Sequence, residues 1–463
     1  MRRSSRILTL LAAVLLSACT TAPRAPSGWM TSGDGAQRLA PMEVGAWRPA
    51  AEEARAIHVD PSQTYQTMSG FGASVTDSSA WLIQHSLDDT QRAALMAELF
   101  GRDGGLGLSA TRITIGASDF SRAHYSYRDA EAAAFDIAPA RLDVVPTVRA
   151  AAALNPNLTI IASPWSAPGW MKTSNSLITG GLAHEHYPDF ARYLADYVVQ
   201  MRALGVSVDA LTIQNEPHFE PADYPGMRMS PSERAAFVGG HLGPLLERER
   251  LDVDILEWDH NWNEPESPLA ALSDPVAARY IDGVAWHCYG GEVSAQSQVQ
   301  ALHPDKDVWM TECSGGAWDA NWRSSLIWMM RNLVIGTTRN WARGVILWNI
   351  ALDETSGPHL GGCGNCRGVV TIDQETGEVT RNVEYYVLGH ASRFVAPGAR
   401  RIASDTDVDG LESVAFINAR DRSTALIVLN GSDEERAFSI VVGGRAFDAN
   451  LSSGSVATFT WSN

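Results

Sequence analysis

The chain has 463 residues, 45% of them hydrophobic and 19% charged, an ordinary globular composition that leaves room for two domains and excludes a disordered or low-complexity protein. With 36 Lys and Arg against 53 Asp and Glu the formal charge is -17, which excludes a basic surface for nucleic acid or anionic lipid and favours a neutral substrate. The 15 tryptophans are many for this length; the core is the ordinary place for most of them, and the rest are candidate stacking surfaces for sugars.

Residues 1 to 24 read as a targeting segment. Arg2, Arg3 and Arg6 form a basic start, and ILTLLAAVLL is an apolar run too short to span a bilayer. Leu16-Ser17-Ala18-Cys19 resembles the bacterial lipobox, which makes Cys19 the lipid-bearing residue; the alternative is a plain secretory signal that contains a cysteine. The expected location is the periplasm or outer membrane, with membrane attachment only through that anchor, and the expected state is monomeric. Residues 25 to 44 read as a tether. The segment 45 to 66 holds one short strand, AIHVD, ahead of any helix.

From 67 to 384 a strand and helix alternate. The strands are SGFGASVT, SATRITIG, LTIIASPWS, VDALTIQNE, DVDILEWDH, GVAWHCYGG, DVWMTECSG and GVILWNIALD. Eight such units specify an eightfold β/α (TIM) barrel rather than an open doubly wound sheet. From 385 to 463, after EYYVLGHASRFV, the pattern becomes short alternating runs, SVAFINA, TALIVLN, AFSIVVGG and SVATFTW, separated by turn residues. That is an attached antiparallel β-sandwich, and AIHVD is expected to join it.

Two of the barrel strands end in glutamate. LTIQNEP places Asn215 and Glu216 just before Pro217, which has no amide hydrogen and ends the strand; VWMTECSGG ends in Glu312. Strands four and seven face one another across a barrel mouth, where such enzymes keep their chemistry. Two carboxyls there suit a glycosidase, and a separation of roughly 5 to 5.5 Å makes it a retaining one. A strand-end glutamate by itself is as often a structural ion pair; two on opposed strands beside polar and aromatic residues are harder to explain that way.

Export makes the other four cysteines candidates for disulfides. Cys363 and Cys366 in GGCGNCRG suit a short-loop disulfide, because no second Cys or His pair accompanies them as a metal site requires. Cys288 and Cys313 are open between a bridge and two free thiols. There is no HExxH, and His218, Asp259, His260 and His287 form no recognisable ligand set, so no metal is expected.

The run from about 65 to 395 resembles glycoside hydrolase family 30, whose members include the lysosomal glucosylceramidase. GFGASVTD, RITIGASDFS, ASPWSAPGWMKT, TIQNEP, AWHCYGG, WMTECSGG, LWNIALD and YYVLGHASRFV occur in the family's order. The resemblance implies a barrel with a β-sandwich, retaining chemistry and no cofactor. It implies that Glu216 is the acid/base and Glu312 the nucleophile. Asn215 matches the asparagine that meets the sugar 2-hydroxyl, and Arg112 and Tyr289 match residues that hold the nucleophile ionised. Asp119 matches an aspartate for the outer hydroxyls, Trp165 and Trp348 the aromatic walls, and His287 an orienting histidine. Where the animal enzyme has Trp this chain has Cys288, and the loop GGCGNCRG differs as well.

The expected activity is therefore a retaining β-glucosidase of glucosylceramidase type on a carbohydrate or glycolipid, with endo-β-1,6-glucanase or β-xylosidase activity as alternatives. A glycan-capturing surface lipoprotein without turnover is the reading from another class; it has no need of both carboxyls.

Overall fold

The computed structural model describes residues 25–51 and 55–462, so the expected signal segment and Cys19 lie outside the described residues. Eight parallel strands close into a barrel. In chain order they are β1 (Gly70–Ala73), β2 (Ala110–Ile115), β3 (Thr159–Pro164), β4 (Ala210–Thr212), β5 (Asp254–Asn261), β6 (Gly283–His287), β7 (Asp307–Glu312) and β8 (Ala342–Leu347). β8 pairs with β1 and closes the ring. Each strand has a helical layer outside and packed side chains inside, so its sequence is apolar in a run rather than alternating. Ala110, Ile161, Ala210, Leu256, Ala285, Trp309 and Ile346 form one apolar cluster.

The helices begin where local chemistry satisfies their free amides. Asp88 and Gln91 make a reciprocal capping box on the helix Asp89–Phe100, as do Ser230 and Glu233 on Pro231–Phe237. The helix Asp77–His85 is capped by the Thr76 hydroxyl, which accepts from Ser79 N. Among the described residues no helix is long and apolar enough to cross a membrane.

The second domain is a ten-stranded sheet, antiparallel except where Ala56–Thr67 runs parallel to Arg436–Val442. The segment containing AIHVD is the strand Ala56–Thr67, and it lies in the middle of this sheet beside Arg400–Thr406. The expectation of a tether over residues 25 to 44 is corrected: Ser27–Thr31 pairs antiparallel with Val456–Ser462, and Ala40–Met42 pairs with Ser27–Thr31. The strand there is stabilised by a partner at the other end of the chain, which local composition does not report. Period-two alternation gives the sheet two apolar faces. Val414, Phe416, Ile427 and Leu429 join the barrel's main core, whereas Ala415, Ile417, Leu426 and Val428 form a separate one. The helix Val383–Ser392 lies between the two domains, and its buried His390 bonds to Thr31 at 2.8 Å and Thr458 at 2.9 Å.

Candidate active site

β4 ends at Thr212, and the next residues run on irregularly across the barrel mouth. Asn215 N donates to Pro164 O at 2.8 Å and Glu216 N to Asp259 O at 3.0 Å. Glu216 has a φ of +44°, a region that non-glycine residues seldom occupy, and this turn carries its carboxyl over the mouth. Glu312 ends β7 in regular geometry. One oxygen of Glu216, one of Glu312 and a ring nitrogen of His287 all lie within 4.8 Å of one another. That spacing is short for inverting chemistry, in which the carboxyls stand roughly 6.5–9.5 Å apart to admit a water, and suits the closer retaining pair.

Arg112 on β2 is fully buried and reaches four side chains at once. Its Nη1 donates to Glu312 Oε2 at 2.6 Å, its Nη2 to Asn215 Oδ1 and Asp259 Oδ2 at 2.7 Å each, and its Nε to Ser163 Oγ at 2.9 Å. Tyr289, after β6, donates its hydroxyl to the other oxygen of Glu312 at 3.0 Å while its residue remains 46% exposed, so one end of the ring is wet and the other is held. Arg112 takes the amide oxygen of Asn215, which leaves the amide nitrogen for a ligand.

Asp259 is the residue that sequence reading missed, having met it only in an unconvincing metal set. It accepts from Arg112, from Thr311 Oγ1 at 2.7 Å and from Ser163 Oγ at 3.0 Å, and it faces His287 Nε2 at 2.9 Å. Trp258 and Asp259 have φ of +76° and +56°, and the pairing of β5 with β6 shifts register beside them. This bulge turns a polar side chain into the barrel. The available signal was weak, because Asp259 shares its strand with Asp254, Glu257, His260 and Asn261.

His287, at the end of β6, lies with Nδ1 3.1 Å from Glu216 Oε1 and 4.0 Å from Glu312 Oε1. Burial disfavours its charge, but Glu312, Asp259 and Glu216 raise its pKa to about 9, so at neutral pH it is an imidazolium donating from both nitrogens. Burial acts against ionisation of Asp259 too, and Arg112 and His287 hold it far below the ordinary carboxylate range. Burial raises Glu312, with Glu216 adding to the rise and His287 and Arg112 opposing it. For Glu216 burial is outweighed by the His287 hydrogen bond and by the nearby His260 and His287 imidazoles, and its pKa is lowered. His287 thus holds a proton one hydrogen bond away from Glu216. A second cation between Glu216, His287 and Glu312 would meet both the guanidinium and the imidazolium, which disfavours that trio as a metal site.

Beyond the carboxyls, Trp165 after β3 and Trp348 after β8 stack with centroids 5.0 Å apart, and the Arg112 guanidinium lies 4.7 Å from the Trp165 centroid. Phe120, Leu352 and Cys366 pack with them. Asp119 follows β2, 7% exposed; burial, then Glu312 and Glu216, raise its pKa well above the ordinary value. A loop after β8 closes over it: Leu360 N donates to Asp119 O at 2.8 Å, and a Cβ on Gly362 would overlap the Asp119 side chain. Cys363 and Cys366 are bonded in that loop, and the open question of Cys288 and Cys313 is answered by a disulfide joining the ends of β6 and β7.

An eightfold barrel with paired carboxyls at its mouth and a sandwich built from both chain ends defines a glycoside hydrolase. Residues 68–395 match the glycosyl hydrolase family 30 TIM-barrel domain and residues 398–459 the family's β-sandwich domain. The chain belongs to glycoside hydrolase family 30. It is similar to an endo-1,6-β-D-glucanase of Neurospora crassa, at 34% identity over 91% of this chain and 91% of that protein. It is also similar to the lysosomal acid glucosylceramidase of Mus musculus, at 25% identity over 88% of this chain and 83% of that one. Among solved structures, an endo-β1,6-glucanase superposes with a TM-score of 0.90 at 30% identity, covering 95% of this chain and 99% of the other.

Proposed function

We propose that this chain is an exported retaining β-glucosidase whose substrate is a β-1,6-linked glucan, with Glu312 as nucleophile and Glu216 as acid/base. The observation that carries the assignment is the difference between the two carboxyls' partners. The pKa directions taken alone would exchange the roles, but hydrogen bonding is the more specific guide. Glu312 receives the guanidinium and the phenol, two donors that keep it an anion aimed at the ring carbon. Glu216 touches only His287 and, at 3.7 Å, His260, so it can trade a proton.

The reaction then runs in two displacements. Glu312 attacks the anomeric carbon while Glu216, taking the proton from His287 Nδ1, passes it to the departing glycosidic oxygen; an ester to Glu312 results. Glu216 next removes a proton from water as the water attacks the same carbon and frees Glu312, and that proton returns through Glu216 to His287 Nδ1. The Asn215 amide nitrogen meets the 2-hydroxyl, Asp119 the outer hydroxyls, and Trp165 and Trp348 line the inner ring's site. No cofactor takes part.

β-1,6-linked glucan stands ahead of glucosylceramide, reversing the order the sequence suggested, because relatives named as endo-1,6-β-glucanases reach 34% and 32% identity and the glucosylceramidases 28% and 25%. The test compares kcat/KM on β-1,6-glucan, glucosylceramide and β-xylo-oligosaccharides. Faster turnover of the glycolipid or the xyloside than of the glucan would overturn the substrate assignment. Lipid attachment at Cys19 and a monomeric state complete the proposal; Cys19→Ala should release soluble, fully active enzyme, and unchanged membrane fractionation would contradict the anchor.

A further inference from the structure

A second cavity, about 340 Å³, opens on the β6–β7 side of the mouth and is lined by Cys288, Tyr289, Gly316, Trp318, Asp319 and Trp328 among others. Its aromatic side chains are unusually open: Trp318 is 57% exposed, Tyr289 46% and Trp328 42%. Tyr289 is also the residue whose hydroxyl reaches Glu312, so the cavity begins one side chain away from the reacting carbon.

The exposure of Trp318 does not come from a loose loop. The disulfide to Cys288 fixes Cys313 at the loop's start. Gly315–Gly316 pairs antiparallel with Cys366–Arg367, next to the other disulfide. Arg367 Nη1 donates to Asp319 O at 3.3 Å and to Gly316 O at 3.5 Å, and its Nη2 donates to Ser325 Oγ at 3.3 Å. The guanidinium is held in turn by Glu384, 1% exposed, whose oxygens accept Nε at 2.8 and 3.0 Å. The indole of Trp318 lies against the Cα of Gly316, where any Cβ would overlap it, so only glycine allows the ring to seat there. A large apolar ring held rigidly in water is costly unless something covers it.

We propose that this cavity is the leaving-side subsite and that its occupant is the next glucosyl ring of a β-1,6-linked chain, stacked on Trp318. The inference rests on the function proposed above. A pyranose ring has one apolar face for an indole and a rim of hydroxyls for polar neighbours, and here Ser314, Asp319 and Ser325 stand among the aromatic residues. With its inner ring against Asp119 and the Trp165–Trp348 stack, a bound chain extends in this proposal toward Trp318.

The test compares β-1,6-linked glucotriose with β-glucosyl fluoride, whose leaving group is a single atom and reaches no subsite. For Trp318→Ala the ratio of kcat/KM on triose to that on fluoride should fall about tenfold or more, mainly through KM, and Trp318→Phe should restore most of it. An unchanged ratio, or an equal fall with Phe, would overturn the subsite. Selective loss on glucosylceramide instead would assign the cavity to an acyl chain and also overturn it. Calorimetric titration of triose into Glu312→Gln enzyme, with and without Trp318→Ala, decides the point independently of turnover: weaker binding supports the subsite and equal binding refutes it. Failure of wild-type enzyme on both glucosides would count against the proposed function, and the titration would still report on the cavity.

Discussion

Asp259→Asn is the most informative perturbation of the site's framework. One Asp259 oxygen accepts from Arg112 and Ser163, the other from Thr311 and His287, and the carboxylate is fully buried. An asparagine must present an NH2 to one of those sets, opposing either the guanidinium or the imidazolium, and it also removes their counter-charge. Breaking a buried pair from one side costs about 3–5 kcal/mol. The rise of His287 from an ordinary 6.5 to about 9 adds a pH signature. A pKa raised in the folded state gives stability that is complete below about pH 6.5 and is lost as pH rises through about 9, here on the order of 3 kcal/mol. Urea unfolding at about pH 6 and about pH 9.5 would measure it. Wild type should lose stability across that window, and Asp259→Asn should start lower and lose less. Activity on an aryl β-glucoside should fall about 100-fold, since Glu312 and Glu216 both lose their alignment. A variant within about 1 kcal/mol of wild type at the lower pH, with an unchanged pH slope, would refute the reasoning.

Other expectations follow from single features. His390 is buried and neutral, its pKa pushed down by burial to about 3, so the stability it contributes is present above about pH 6.5 and is lost as pH falls toward 3. His390→Gln should therefore lower stability at neutral pH but flatten its decline between about pH 6.5 and 4, as measured by denaturant unfolding. The Cys288–Cys313 disulfide closes a loop of sequence separation 25, and replacing both cysteines by serine should cost about 3.5 kcal/mol on the chain-entropy account, read from the same unfolding curves. Glu216→Ala should retain turnover only on substrates with good leaving groups, with a loss of about 10²–10⁴ on the glucan, and Glu312→Ala should lose it on all.

The barrel was legible because most of its strands are apolar runs with a helix behind them, and strand counting then sets β7 three places from β4 around the ring of eight, across the mouth. The two glutamates, Arg112, Asn215, Tyr289 and His287 converge as expected. Asp259 was not legible, since its role depends on two successive positive φ values at a bulge that sequence does not announce. The strand Ser27–Thr31 was hidden for a different reason: its Pro- and Ser-rich surroundings read as a linker, and it pairs with the last strand of the chain. The pairing of Cys288 with Cys313 needed the relative heights of β6 and β7, which a register shift between Trp286 and His287 adjusts. Trp318 was legible as one of four loop aromatics, with Trp322, Tyr224 and Phe219, that could meet substrate beyond the first sugar; what set it apart was not, because its seat on Gly316 and the Arg367 brace are long-range contacts.

The central claim is that Glu312 forms a covalent bond to the sugar. Incubation with 2-deoxy-2-fluoro-β-glucosyl fluoride, which slows the second displacement, followed by mass spectrometry of the intact protein and its peptides, tests it directly. The account predicts one fluoroglucosyl adduct on the peptide that carries Glu312, with the label absent from Glu312→Gln. A label on Glu216, or no adduct together with inversion of the first-formed sugar, would contradict it.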